Sequence, residues 1–197
     1  MNILNQAIQF ATTAYGDICR KGDGMPLILH AMEAAAIAAT LTDDLEVMAA
    51  AVLHDTIEDC KTAPAEIRAR FGDRIARLVD VDTEDKMPGV PPDQSWRARK
   101  EATIAALGRA EDPAAGMVVL SDKVANLRSL YREYRKSGSA IWQRFNQKDP
   151  EAHHWYYRAI ADAIGALRDT AAGQEYEWLI QRVFECNSIT KGEQGIC

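Results

Sequence analysis

The sequence lacks the features that mark several classes of protein. Its four cysteines form neither a C-x-x-C pair nor a regular framework, which argues against a zinc ribbon or a disulfide scaffold. No uncharged run approaches the ~18 residues that a membrane-spanning helix needs, and the N-terminus has no basic region followed by a long apolar stretch. We therefore expect a cytoplasmic protein with reduced thiols and no membrane span.

Excess positive charge is also missing. The 23 Lys and Arg residues face 29 Asp and Glu residues, which gives a net charge of −6. A general nucleic-acid binder would present a basic surface, so we expect no nucleic-acid partner. A small anionic ligand is still compatible with this balance, because a pocket can differ in sign from the whole molecule.

Alternation of β-branched residues is almost absent, and nearly every apolar stretch repeats at helical spacing. With 197 residues, of which 47% are hydrophobic, the chain can bury one sizeable core. This pattern predicts an all-α fold, a single bundle of about eight to ten helices. Prolines, glycines and capping residues place the helices at 3–15, 26–41, 45–59, 64–71, 73–81, 96–107, 113–136, 141–144, 150–170 and 175–185. The proline-rich segment 83–95 is predicted to be the longest loop, and 187–197 a loose tail.

Ionisable residues stand beside the most apolar segments of the chain. His54 and Asp55 end an apolar run, and Glu58 and Asp59 follow one turn later. Such groups at the end of a buried helix are costly unless they are paired or coordinated. Glu58 and Asp59 alone could form a solvated helix end, and a lone histidine on an apolar face is usually a core residue. A second histidine in an equally apolar setting, His30, instead indicates a metal site.

Asp122 extends this set, because it directly follows the apolar run 117–121, with Asn126 one turn later. Two imidazoles and two carboxylates form a mixed nitrogen and oxygen donor set. Such a set suits Mn²⁺ or Fe²⁺, with water in the remaining positions, better than a closed tetrahedral zinc site. Open positions make a site of this kind catalytic, since a metal acidifies water and polarises anionic oxygens.

The order His30, His54-Asp55, Asp122 resembles the HD phosphohydrolase superfamily, which is named for that doublet. The flanking residues narrow the resemblance. LHDTIED at 53–59 looks like the LHDTxED segment of the hydrolase domain of RelA/SpoT homologues, and SDKVANLR at 121–128 looks like its ADKxxNLR segment. The chain is short for a bifunctional enzyme and most resembles the single-domain small alarmone hydrolases, which are all-α and Mn²⁺-dependent. We expect an HD domain over 1–172, with 173–197 as a C-terminal helix and tail packed on the domain or on a second copy.

The resemblance implies a role for each matching residue. It implies that the metal ligands are His30, His54, Asp55 and Asp122. It implies that Glu58 and Asp59 orient or deprotonate the attacking water. The predicted substrate contacts are Arg20, Lys21, Lys123, Asn126 and Tyr156. Further candidates for a phosphate contact are Lys86 and one of Arg97, Arg99 and Lys100.

The expected activity is metal-dependent removal of the 3′-pyrophosphate of guanosine tetra- or pentaphosphate, which yields GDP or GTP and pyrophosphate. Leu27, Leu29 and Ala31 replace the tyrosine, asparagine and proline usual in the family, which leaves base preference and substrate identity open. One alternative is an HD hydrolase that acts on another phosphorylated nucleotide: an adenosine alarmone, NADPH or a nucleoside monophosphate. A second is a catalytically silent nucleotide-binding module. The sequence also leaves open whether the protein forms a homo-oligomer.

Overall fold

The structure, a computed structural model, describes residues 1–20 and 24–185. Lys21 and the tail predicted at 187–197 lie outside the described residues. Ten α-helices account for most of this part of the chain, and its only β-type pairing is an isolated bridge between Cys19 and Pro26. The all-α prediction is therefore confirmed. The helices are α1 (Ile3–Tyr15), α2 (Leu27–Ala38), α3 (Leu45–Leu53), α4 (Thr56–Cys60), α5 (Pro64–Phe71), α6 (Asp73–Asp82), α7 (Pro92–Arg109), α8 (Ala114–Ser137), α9 (Pro150–Ala163) and α10 (Ala171–Ile180).

Helix α3 lies at the centre of the bundle and contacts α1, α2, α6 and α8. Its residues 49–53 are completely inaccessible to solvent. The three consecutive alanines in this stretch let neighbouring helices approach closely, and Leu53 fills the space at its C-terminal end. The apolar character on all sides of this segment had predicted a central helix, and the packing confirms it. None of the described helices combines the length and apolarity needed to cross a membrane.

The predicted helix 45–59 is wrong in one respect, because the structure breaks it at His54 and Asp55. Asp55 has φ −90° and ψ −1°, values between the main helical and extended regions. The Thr56 hydroxyl donates to the Leu53 carbonyl oxygen over 2.6 Å, which satisfies an acceptor where α3 ends. The histidine–aspartate doublet thus occupies the junction between α3 and the short helix α4.

Two other predicted bounds need correction. Helix α7 begins at Pro92 rather than at residue 96, which shortens the proline-rich loop; proline suits the first turn of a helix because its missing N–H would have no partner there. Helix α9 ends at Ala163 rather than at residue 170 and is followed by a 3₁₀ helix, Gly165–Asp169. Gly165 has φ +55°, a backbone conformation that favours glycine.

Helix α10 packs against α8 and α9, and the boundary expected after residue 172 falls within it. It begins four residues earlier than predicted and continues into a π-helical turn, Gln181–Glu185. The Arg128 guanidinium on α8 binds both carboxylate oxygens of Glu175, over 2.6 and 2.7 Å, and donates to Glu33 on α2 over 3.1 Å. This ion-pair group joins α2, α8 and α10. The division of the chain into an HD domain over 1–172 and a C-terminal segment over 173–197 stays a prediction.

The close approach of α10 to the preceding 3₁₀ helix predicts a large effect of a single methyl group. A Cβ on Gly173 would lie 2.1 Å from the Leu167 carbonyl oxygen and 2.6 Å from Arg168 Cα. Because both are backbone atoms, the segment would have to shift. We expect Gly173→Ala to lower the free energy of unfolding by about 3 kcal/mol, measured by denaturant titration.

Gly108 in α7 provides the matched control, since a Cβ built there has no atom within 4 Å apart from its chain neighbours and the nearby backbone of its own helix. Gly108→Ala should raise the free energy of unfolding by about 0.5–1 kcal/mol, because alanine is the better helix former. Equal stability of the Gly173→Ala variant and the parent would contradict the packing described for α10.

Candidate metal centre

Three buried side chains from separate elements converge on one point. His30 lies on α2, His54 at the end of α3 and Asp122 on α8, and each is less than 5% exposed. Asp122 Oδ1 is 2.9 Å from His30 Nε2 and 3.2 Å from His54 Nε2, and the two Nε2 atoms are 3.2 Å apart. These atoms could each offer one ligand to the same metal ion.

Asp55 stands at the more open side of this cluster. Its Oδ2 lies 3.2 Å from His54 Nε2 and 3.6 Å from His30 Nε2, and its side chain is 23% exposed. The turn between α3 and α4 aims Asp55 and His54 at the same point, which a continuous helix would not do for two adjacent residues. The structure thus brings together all four predicted ligands.

The hydrogen bonds of the two imidazoles test whether this donor set fits a metal. His54 Nδ1 lies 2.8 Å from the Ala51 carbonyl oxygen, so Nδ1 carries a proton and Nε2 is the ring atom that faces the cluster and is available to a metal. His30 Nδ1 is buried without a hydrogen-bond partner among the described residues. A divalent ion could be shared by the two imidazole nitrogens and the carboxylate oxygen, which lie within 3.2 Å of one another. The set therefore fits a divalent ion with mixed nitrogen and oxygen ligands.

The pKa shifts of His54 and Asp122 also indicate that the cluster favours positive charge. Burial disfavours the charged form of His54, but Asp55 and Asp122 outweigh burial and hold the pKa of His54 well above its ordinary value. Burial likewise disfavours ionised Asp122, yet Lys123 and His54 keep its pKa well below the usual range. A metal would take the place of the imidazole proton, so its binding should release protons.

Asp122 is held on both of its oxygens. Asn126 Nδ2 donates to Oδ1 over 2.7 Å, and Lys123 Nζ donates to Oδ2 over 2.5 Å. Lys123 also donates to Asp82 Oδ1 over 2.7 Å, while Arg20 donates to Asn126 Oδ1 over 2.6 Å. The side chains predicted to bind substrate at Lys123 and Asn126 are therefore already bound to a predicted metal ligand.

Asp82 is the main site residue that the sequence reasoning missed. It is 6% exposed and continues the buried stripe of α6 formed by Ile75, Leu78 and Val79, one turn after the last two. An aspartate in phase with such a stripe is the signal that could have revealed it. Burial raises the pKa of Asp82 to about 7, although Lys123 favours its ionised form.

Arg20 reaches the cluster from the segment that is hydrogen-bonded to the start of α2. Its backbone N–H donates to the Met25 carbonyl oxygen over 2.9 Å, and Leu27 N–H donates to the Ile18 carbonyl oxygen over 2.8 Å. These bonds hold Arg20 beside the N-terminus of α2, the helix that carries His30. The predicted contact at Lys21 lies outside the described residues.

Glu58 and Asp59 lie on α4, next to the doublet but outside the histidine cluster. Lys86 Nζ donates to Asp59 Oδ1 over 2.9 Å and to the Glu58 carbonyl oxygen over 2.7 Å. Burial, followed by the charges of Asp55 and Glu84, raises the pKa of Glu58 to about 6. A carboxylate with this pKa can exchange a proton close to neutral pH.

A cleft of about 680 Å³ opens above the cluster. A second cleft, of about 690 Å³, lies beside α1 and α5 and contains none of the predicted site residues. The cleft above the cluster is therefore the candidate substrate site. Three of the candidates for a phosphate contact line the cleft above the cluster, Lys86, Arg99 and Lys100, and the last two bind Glu84. The residues lining the cleft are Ile18, Cys19, Arg20, Leu27, His30, Asp55, Glu58, Asp59, Asp82, Glu84, Lys86, Pro92, Arg99, Lys100, Asp122, Lys123, Asn126 and Asn146.

Two candidates for a substrate contact, Tyr156 and Arg97, do not line the cleft. Tyr156 is 4% exposed and does not line the cleft. Its hydroxyl has no hydrogen-bond partner among the described residues, and Lys100 Nζ lies 4.6 Å from its ring centroid. Arg97 stacks over the Trp155 ring, 3.2 Å from the centroid, away from the cleft. A substrate contact by Tyr156 stays a prediction.

Comparison with known proteins decides the family. The sequence profile of the HD domain matches residues 7–150. The chain belongs to the HD-domain family. This HD-domain phosphohydrolase has a buried His-His-Asp cluster that is consistent with the metal site of such a protein.

Several curated relatives of this HD-domain protein are named guanosine-3′,5′-bis(diphosphate) 3′-pyrophosphohydrolase, and relatives from Brucella are named GTP pyrophosphokinase rsh. The human guanosine-3′,5′-bis(diphosphate) 3′-pyrophosphohydrolase MESH1 is 36% identical over 191 residues, 95% of this chain and 96% of the relative. The mouse MESH1 is 31% identical with the same coverage. The Aquifex aeolicus protein of that name is 37% identical over 128 residues, 65% of this chain. The HD-domain chain spans only 18% of the Aquifex aeolicus relative and 16% of the one from Vibrio cholerae.

Solved structures share the HD-domain fold. One described as "A metazoan ortholog of SpoT hydrolyzes ppGpp and plays a role in starvation responses" superposes with a TM-score of 0.72 and 20% identity, over 92% of this chain and 96% of that one. A crystal structure from Listeria monocytogenes EGD-e gives a TM-score of 0.67 and 28% identity, over 79% of this chain and 96% of that one. The first of these likenesses, at its low identity, establishes the fold alone.

The raised pKa of Glu58 predicts a pH-dependent gain in stability when its charge is removed. Because the folded HD-domain protein holds this proton more firmly than the unfolded chain, the stabilisation is complete below the ordinary pKa of 4.5 and is lost as pH rises through about 6. Near pH 8, Glu58→Gln should therefore raise the free energy of unfolding of the metal-free protein by about 2 kcal/mol. Thermal unfolding in a chelator measures this gain.

The gain from Glu58→Gln should shrink near pH 5. Glu111, an exposed glutamate, provides the control, since Glu111→Gln should change stability little at either pH. A gain at pH 5 that equals the gain at pH 8 would show that the Glu58 charge is not its source.

Proposed function

We propose that this HD-domain protein is a metal-dependent hydrolase that removes the 3′-pyrophosphate of guanosine tetra- or pentaphosphate. The observation that carries the proposal is the convergence of His30, His54 and Asp122 on one point beneath a cleft whose lining includes five basic side chains beside its carboxylates. The name shared by the human and mouse relatives, which align over nearly their whole length, supports the choice of substrate.

The four predicted ligands would hold the ion, His30 and His54 through Nε2 and Asp55 and Asp122 through carboxylate oxygens. Mn²⁺ is the proposed ion, with Fe²⁺ the main competitor for such a donor set. When bound, it would supply Lewis-acid stabilisation of charge on the phosphoryl oxygens and make water more acidic. The hydrogen bond from His54 Nδ1 to the Ala51 carbonyl fixes the ring so that Nε2 remains the ligand atom.

Glu58 and Asp59 would orient the attacking water and accept its proton. The raised pKa of Glu58 suits a base that works close to neutral pH. Lys86 holds Asp59 in place through its Oδ1. Water would attack the phosphorus bonded to O3′, the bond from that phosphorus to O3′ would break, and O3′ would take up a proton, which leaves pyrophosphate and GDP or GTP.

Basic residues of the cleft would hold the phosphates by charge-assisted hydrogen bonds. Arg20 and Asn126 stand beside the cluster, and Arg99 and Lys100 line another part of the cleft. Lys123 also lines the cleft, whereas Lys21 and Tyr156 belong to the proposal on the strength of the sequence resemblance.

A turnover comparison tests the proposal. The chelator-treated chain is supplied with Mn²⁺ and, at equal concentration, with guanosine tetraphosphate, its adenosine counterpart, NADPH or GMP, and the released phosphate and pyrophosphate are measured. We expect pyrophosphate from the guanosine substrate at the highest rate, lost in EDTA and restored by Mn²⁺, with Fe²⁺ as a parallel arm. Faster turnover of another nucleotide would favour that substrate, and binding without product would favour a silent module. Metal-independent turnover would overturn the proposal.

A further inference from the structure

The Lys123 ammonium bridges two buried carboxylates on different helices. It lies 2.5 Å from Asp122 Oδ2 on α8 and 2.7 Å from Asp82 Oδ1 on α6. All three residues are less than 8% exposed. Since Asp122 turns its other oxygen, Oδ1, toward His30 and His54, the two oxygens of this one carboxylate have separate partners.

The charge of Lys123 presents a difficulty for a metal ligand. A buried ammonium that paired with Asp122 alone would neutralise this carboxylate and make it a weaker partner for a cation. Asp82 adds a second negative charge, so that the three side chains together carry one net negative charge rather than none. The same sharing satisfies the ammonium, whose burial without partners would be costly.

Asp82 has no evident role apart from its contact with the Lys123 ammonium. Its Oδ2 is buried and has no hydrogen-bond partner in the part of the chain that the structure describes. Helix α6 already packs on α3 and α8 through apolar residues, so a buried carboxylate is not needed to attach it. Asp82 also lines the cleft above the cluster.

We propose that Asp82 is a positioning residue of the metal centre: by sharing the Lys123 ammonium, it keeps Asp122 fixed through Oδ2 and negatively charged at Oδ1. Asp82 acts through Lys123 and makes no contact with the ion itself. The inference rests on the proposed function, because it assumes that the cluster binds a metal.

Two variants test the role of charge sharing. Asp82→Asn removes one negative charge at nearly constant shape, and the net charge of the three side chains rises from −1 to zero. Asp82→Asn combined with Lys123→Gln also removes the ammonium, which restores one net negative charge and retains an N–H donor for Asp122 Oδ2. The readout is the dissociation constant of Mn²⁺, measured by calorimetry near pH 8 on chelator-treated full-length protein, with circular dichroism as the test of folding.

We expect Asp82→Asn to weaken Mn²⁺ binding about 10- to 100-fold, the usual effect of losing a residue that supports a metal ligand. The double variant should return to within about threefold of the parent. Asp112→Asn is the control, because Asp112 pairs with Arg74 on the surface and should bind Mn²⁺ like the parent. A purely structural ion pair would instead give a double variant at least as weak as Asp82→Asn.

The outcomes separate this inference from the proposed function. If the parent chain binds no Mn²⁺, the metal site itself is wrong. If the parent binds Mn²⁺ and folded Asp82→Asn binds it equally well, only the role of Asp82 is overturned. Should Asp82→Asn fail to fold, the double variant decides: near-parental affinity supports charge sharing, and a loss of tenfold or more contradicts it.

Discussion

Asp122→Asn is expected to abolish both Mn²⁺ binding and hydrolysis. The substitution keeps the shape of the side chain but removes the charge that lies 2.9 and 3.2 Å from the two imidazole nitrogens. Loss of the metal's contribution to the transition state, about 4 kcal/mol, corresponds to a fall of about a thousandfold in kcat/KM. Mn²⁺ at about a hundred times its Kd should stabilise the parent by about 2.7 kcal/mol, and it should leave the variant unchanged.

Asp112→Asn controls for the general effect of removing a carboxylate. Asp112 shares Arg74 with Asp44 and Glu46 in a separate ion-pair group. We expect this variant to keep the activity of the parent and its stabilisation by Mn²⁺. Retention of Mn²⁺ stabilisation by folded Asp122→Asn would show that Asp122 is not a ligand.

Asp59→Asn should lower kcat without affecting the metal. Asp59 lies next to the metal cluster but does not belong to it, and Lys86 holds its Oδ1 at 2.9 Å. Loss of a group that moves a proton costs about a hundredfold to ten-thousandfold in rate. We expect kcat and kcat/KM to fall by similar factors, which is the kinetic sign of an interaction made only in the transition state. The Kd for Mn²⁺, measured by calorimetry, should stay within about threefold of the parent.

Asp85 is the matched control for Asp59, since it lies on the neighbouring exposed loop and bonds only the backbone N–H of Met87 among the hydrogen bonds described. Asp85→Asn should leave kcat nearly unchanged. A ten-fold rise in the Mn²⁺ Kd of Asp59→Asn would identify Asp59 as part of the metal site. Full activity of that variant would exclude a proton-transfer role.

The sequence predicts an element well where its ends are set by local interactions. Helix α1 has the predicted bounds because Asn2 Oδ1 accepts the Asn5 N–H at its start and Gly16, with φ +48°, ends it. The break at His54 and Asp55 has no glycine or proline to announce it. Since packing around the cluster sets this junction, periodicity alone predicts one continuous helix.

The candidate site, too, is only partly predictable from the sequence. His30, His54 and Asp122 could be selected from the sequence because ionisable groups in apolar helices need partners, and the structure brings them together. Asp82 escaped notice because its partner, Lys123, is 41 residues away, and an aspartate near a helix end resembles a solvated terminus. Placing Tyr156 outside the cleft likewise required the packing of α9.

Hydrolysis of guanosine tetraphosphate in H₂¹⁸O, followed by mass spectrometry of the products, tests the central claim most directly. With Mn²⁺ present, the account predicts pyrophosphate that carries one ¹⁸O and GDP that carries none, because water attacks the phosphorus bonded to O3′. The same mixture in EDTA should yield no product. Release of inorganic phosphate, ¹⁸O in the nucleotide, or equal product in EDTA would contradict the account.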